Sequence, residues 1–153
     1  MKILTKIVDK LHEKYGTKPV DNNTFFDGLR ENPSGLQYML DAQWLLQHRL
    51  GALPDVKDEK SRTAYIKEMS IHVNQEMNEM LYELAYFKPW SSKYDKWDRK
   101  KHEEQLAKVK EEYIDAWHFF MNIGIALELT EKEWLEIYNY KNCINHERQN
   151  NGY

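Results

Sequence analysis

The stretch QEMNEMLYELAYF, residues 75–87, decides the fold. Advancing ~100° per residue, as a helix does, Val73, Met77, Met80, Leu84 and Phe87 fall on one apolar stripe, and Glu76, Glu79 and Glu83 run along one flank of it. Residues three apart share a helical face, so Glu76-x-x-Glu79 projects two carboxylates the same way. A second stretch, EEYIDAWHFFMNIG at 111–124, repeats the pattern. There Leu106, Val109, Tyr113, Ala116, Phe120, Ile123 and Leu127 make the stripe, with Glu112 and Asp115 offset to the same side. If the two stripes pack, four carboxylates meet at the edge of the core. Anions that close repel one another unless hard divalent cations lie between them, and oxygen-only ligation suits Mg²⁺ or Mn²⁺ better than zinc.

Charged residues make up 31% of the chain, so either acidic pair alone reads more readily as a solvated helix face. Two pairs with matching offsets are what point to a site. At 153 residues the chain has the length of one domain with its own core. Six glycines, four prolines and 41% hydrophobic residues, with long runs of helix formers, predict an all-α fold, a helical bundle. No apolar run reaches the ~18 residues of a membrane span, and the N-terminal MKILTKIVDKLHEKYG is amphipathic and lacks a cleavage-site pattern, so a soluble, unprocessed protein is expected. The single cysteine, Cys143, excludes an intrachain disulfide framework, fits a cytoplasmic location, and is expected to be a helix-packing residue. A net charge of −3 argues against general nucleic-acid or acidic-membrane binding. Local basic clusters still leave room for a small phosphorylated ligand.

Along the chain, residues 3–15 read as an extra N-terminal helix stopped at Gly16, and 17–35 as an irregular link whose Pro33-Ser34-Gly35 opens the next helix. In that helix, 36–50, Leu36, Met39, Leu46 and Leu50 define the inward face, with Gln43 in its middle. A buried amide left unpaired costs about 1–3 kcal/mol. Gln43 therefore bonds a neighbouring backbone or reads the polar edge of a ligand. Ser61 is expected to cap a helix over 61–87, Pro89 to set where it ends, and another helix to run over 103–128. Between them KPWSSKYDKWDRKKH, 88–102, interleaves lysines with Trp90, Tyr94 and Trp97, a composition suited to phosphate and equally to an ordinary surface loop. Thr130-x-x-Glu133 reads as a capping box opening a last helix with Trp134, Ile137, Tyr138 and Ile144.

Taken together, Gln43 in DAQWLLQHRL, EMNEMLYELAYFKPW at 76–90, EYIDAWHFFMNIG at 112–124 and the tail YKNCINHERQNNGY make the chain resemble the dimeric all-α dUTP pyrophosphatases of bacteria, phages and trypanosomatids, within the MazG-like NTP pyrophosphohydrolases. The likeness covers 36–153, and the helix at the N-terminus lies outside it. It implies one domain over 1–153 that hydrolyses dUTP to dUMP and pyrophosphate and acts as a homodimer. It also implies that Glu76, Glu79, Glu112 and Asp115 hold Mg²⁺, with Glu76 or Glu79 activating the attacking water. Gln43 then reads uracil. Lys88, Trp90, Lys93, Asn122, Lys141, Asn145, Arg148 and Tyr153 lie around phosphate, base and deoxyribose. Three other readings stand beside this one: a pyrophosphohydrolase for dCTP or mixed dNTPs, a di-iron carboxylate protein, and a helical interaction module with solvated acidic faces. The di-iron class expects paired Glu-x-x-His motifs, and Asp115-x-x-His118 has no second copy.

Overall fold

The computed structural model describes residues 35–152, and among them the chain is entirely helical, with no strand. The helices are α1 (Gly35–Leu50), α2 (Glu59–Glu83), α3 (Arg99–Ala126) and α4 (Glu131–Asn150), with one 3₁₀ turn, Ser92–Lys96, between α2 and α3. The expected N-terminal helix at 3–15, most of the link that follows it, and Tyr153 lie outside the described residues.

Helices α2 and α3 form an antiparallel hairpin that carries most of the packing. Their direction is plain from the cross-contacts. Gln105, early on α3, donates to the backbone carbonyl of Glu83 at the end of α2 (2.7 Å), while Asn122, late on α3, reaches Met69 two-fifths of the way along α2. The core is centred on Tyr65, Met69 and Ala126, with Ile66, Phe119 and Ile123 packed against it. Helix α1 lies against this pair and is tied to it by the Tyr65 hydroxyl, which donates to Gln47 Oε1 (3.4 Å).

Several expected faces and ends are corrected. On α1 the buried residues are Leu40, Gln43 and Gln47, whereas Met39, Leu46 and Leu50 face outward. Because both glutamines find side-chain partners, the amide face can turn inward, and the aliphatic one is left at the surface. On α3 the expected stripe holds in part: Ala116 is buried and Ile123 packs against the core as expected, joined there by Met121, Asn122, Gly124 and Ala126, whereas Leu106, Tyr113, Phe120 and Leu127 are exposed. Helix α2 is capped by Asp58, whose carboxylate accepts from the amides of Lys60 and Ser61. Ser61 Oγ is occupied elsewhere, accepting from the Asp55 amide at 3.2 Å. The helix stops at Glu83, well before Pro89. Leu84 is extended (ψ 126°) and Tyr86 is left-handed (φ 64°), so backbone conformation rather than the proline ends it. The Tyr86 ring lies against Tyr94 and His102, with centroids 5.2 and 6.3 Å away, which offsets the strain of that conformation. Helix α3 starts four residues earlier than expected because Asp98 caps it. Cys143 is exposed on α4 and packs against nothing that would make it a core residue.

The capping box of α4 forms as expected: Thr130 Oγ1 accepts from the Glu133 amide (3.2 Å) and Glu133 accepts from the Thr130 amide (3.0 Å). Helix α4 is seated through Trp134, which lies against Gly124. A Cβ at that glycine would come within 2.6 Å of the indole ring.

Candidate active site

The antiparallel register of α2 and α3 sets their acidic pairs opposite each other. Glu76, Glu112 and Asp115 each bring a carboxylate oxygen to within 4.8 Å of the others. Glu76 and Glu112 are half-buried, and Asp115 is exposed. Burial holds the Glu76 carboxyl above the usual carboxylate range, the charges of Glu79 and Asp115 push it further, and His72 partly offsets them. Glu112 is raised by burial and then by Glu79, Asp115, Glu76 and Glu83. Both groups thus register the charge of Glu79, the fourth expected ligand. Glu79 itself is exposed, stands outside the triad, and accepts from Gln75 Nε2 at 3.1 Å. Three hard oxygen donors that repel one another in this way fit a divalent cation, whose charge would remove the repulsion.

One turn along α3 from Asp115 lies the partner of Gln43. Gln43 is 5% exposed, yet its bonds go to side chains rather than to backbone: Nε2 donates to Asn122 Oδ1 (2.9 Å), and Oε1 lies 2.8 Å from His118 Nδ1. Asn122 is 1% exposed and donates onward to Met69 Sδ (3.3 Å). An amide carries two N–H groups and two acceptor lone pairs, so Gln43 keeps one of each for a ligand. Asn122, expected beside the substrate, sits beneath Gln43.

Beyond the end of α2, Lys88, Trp90 and Lys93 gather with Ser91, Ser92 and Lys96 around an open groove of about 620 Å³. The Trp90 ring is four-fifths exposed, so its large apolar face has no protein partner covering most of it. Lys141, Asn145 and Arg148, spaced four and three apart, share one exposed face of α4. Sequence reasoning missed two participants, His118 and Met69. The available signal for His118 was its place three residues after Asp115. For Met69 there was none, because a methionine on an apolar face reads simply as core.

A helical hairpin that collects carboxylates from both arms, with His118 one turn away leading to the buried Gln43 amide, defines an all-α protein with an acidic cluster that could hold a metal ion. Residues 35–136 match the family model described as dUTPase, and the chain belongs to that family. It is 31% identical to a dCTP pyrophosphatase of Enterobacteria phage LZ5 and 30% identical to a dCTP pyrophosphatase of Enterobacteria phage T4, each alignment covering 86% of this chain and 90% of the phage protein. A DNA replication protein of phage T4 is 28% identical over 78% of this chain and 36% of its own length. No solved structure matches.

Proposed function

We propose that this protein hydrolyses dUTP to dUMP and pyrophosphate with Mg²⁺. The observation that carries the reading is the triad of Glu76, Glu112 and Asp115 beside a buried amide with bonding capacity to spare. Family membership supports the same chemistry. Mg²⁺ held by these carboxylates and Glu79 would neutralise the triphosphate and acidify a bound water. The side chains do the rest. Glu76 or Glu79 takes the proton of the attacking water as general base. Lys88 and Lys93, with Lys141 and Arg148 from α4, supply positive charge to the departing pyrophosphate. Trp90 offers its face to the nucleotide, Asn145 on the exposed face of α4 adds a polar contact to it, and Gln43 reads the base.

A second reading replaces dUTP with dCTP, and the two phage relatives named dCTP pyrophosphatase favour it. Hydrolysis of dUTP, dCTP, dTTP and UTP with Mg²⁺, with pyrophosphate and orthophosphate measured separately, decides between them. Release of orthophosphate instead of pyrophosphate would exclude both. Glu76→Gln is expected to abolish turnover while leaving the fold intact, because it removes charge at constant shape. Full activity in that variant would remove the metal site. We further propose a cytoplasmic homodimer that binds neither nucleic acid nor membrane. Exposed Trp44 and Phe120 on helices that also build the site support the pairing, and no helix of the described residues is long and apolar enough to cross a membrane.

A further inference from the structure

The hydrogen-bond chain through Gln43 has a direction, and a sulfur atom imposes it. A thioether accepts hydrogen bonds and cannot donate them. Met69 Sδ lies 3.3 Å from Asn122 Nδ2, and the Asn122 amide gains this hydrogen bond only with its NH₂ toward the sulfur. That leaves Asn122 Oδ1 for Gln43, whose Nε2 donates to it at 2.9 Å. Gln43 Oε1 is thereby aimed at His118 Nδ1, 2.8 Å away, and this contact is a hydrogen bond only if Nδ1 carries the proton. Four side chains from three helices thus share one arrangement of donors and acceptors. Reversing Gln43 would set its oxygen against Asn122 Oδ1, and reversing Asn122 as well would set oxygen against sulfur. Each mismatch leaves a buried group unpaired, the costly outcome for nearly inaccessible amides.

We propose that Met69, Asn122 and His118 lock the direction of the Gln43 amide and that this lock sets which pyrimidine the site accepts. The proposal rests on the reading of the protein as a pyrimidine deoxynucleotide pyrophosphohydrolase. At ring positions 4 and 3 uracil presents an acceptor and then a donor, whereas cytosine presents a donor and then an acceptor. Gln43 has one N–H and one oxygen lone pair left to offer. With the amide fixed, one base finds both complements and the other meets donor against donor and acceptor against acceptor. With the amide free to rotate by half a turn, both bases are satisfied. His118 is a positioning residue in this scheme: it acts on the base through Gln43 and holds the proton at Nδ1.

Two measurements on the full chain test the lock. Long-range ¹H–¹⁵N correlation of the histidine rings, with His118 assigned by its loss in His118→Asn, is expected to show the Nδ1–H tautomer. The Nε2–H tautomer would overturn the lock whatever the enzyme does. The second measurement is kcat/KM for dUTP and dCTP in variants. His118→Phe removes the donor and Met69→Leu removes the acceptor at nearly constant volume. Each is expected to shrink the preference between the two nucleotides about ten-fold or more, mainly by raising turnover of the disfavoured one. His118→Asn, which can place an N–H where Nδ1 stood, is expected to restore the preference. Equal loss in His118→Asn and His118→Phe, or full preference in Met69→Leu, overturns the proposal. A wild-type chain that hydrolyses neither nucleotide removes the selectivity role together with the reading beneath it, while an Nε2–H tautomer in an active wild type removes the lock alone.

Discussion

Single residues set the conformational and electrostatic tension in this molecule. Helices α1 and α3 end in the same Schellman geometry. In α1, Gly51 (φ 63°) donates to His48 O and Ala52 donates to Gln47 O; in α3, Glu128 (φ 55°) donates to Ile125 O and Leu129 donates to Gly124 O. The left-handed position is free of steric cost for glycine and costs an L-residue about 1–2 kcal/mol. Glu128→Gly is therefore expected to stabilise the protein by about 1 kcal/mol, read as a rise in Tm; a fall would mean that the Glu128 side chain contributes more than its backbone costs. At the acidic triad the sign is also fixed. A carboxyl whose folded-state pKa is raised binds its proton more tightly in the native state, so stability declines as pH rises from the ordinary carboxylate value through the raised one. Glu76 and Glu112 both belong to this case. Metal-free protein is expected to lose Tm as pH rises above the ordinary carboxylate range, and Glu112→Gln or added Mg²⁺ should flatten that decline. A Tm that climbs over this range in metal-free protein would contradict the clustering.

At the scale of elements, the weakest attachment is that of α4, which has no buried residue along its length and is anchored at Trp134. Gly124→Ala sets two effects against each other. Alanine improves helix propensity by about 1 kcal/mol, but its Cβ would stand 2.6 Å from the Trp134 ring, and overpacking of that kind costs about 1–3 kcal/mol. The steric term wins. The variant is expected to loosen α4 selectively, seen as faster amide exchange in Glu131–Asn150 with little change in α2. Unchanged exchange in α4 would show that the indole swings aside freely. The same elements show how legible the chain was. Capping box, helix order and the acidic pairs were readable because they are encoded in spacing along one chain. The face of α1, and part of that of α3, were misread because an apolar side chain signals burial somewhere without saying against what. Glutamines that find partners displace leucines from the core.

For the whole molecule, the apolar surface left outside is large for a lone chain. Trp44 is 43% exposed and Phe120 46%, while on α4 Leu135 is 47%, Ile137 53% and Tyr138 62% exposed. Side chains of this size scattered singly are ordinary, whereas a partner surface would account for several of them on three helices at once. A two-fold pairing buries such a surface on both copies at once. Sedimentation equilibrium at micromolar concentration is expected to give about twice the 18.5 kDa of one chain, and Phe120→Glu is expected to shift the population toward monomer. A wild-type mass of one chain would remove the dimer. The sequence by itself determined that the chain is helical, that Glu76, Glu79, Glu112 and Asp115 project from two helices on matching flanks, and that Gln43 lies inside, because these follow from local periodicity. Only the tertiary structure decided that Glu76, Glu112 and Asp115 converge, with Glu79 outside that group yet near enough for its charge to act on both glutamates, and that Gln43 answers to His118, Asn122 and Met69. Those facts depend on the register and rotation of one helix against another, which the packing of many side chains sets and no spacing within a single helix contains.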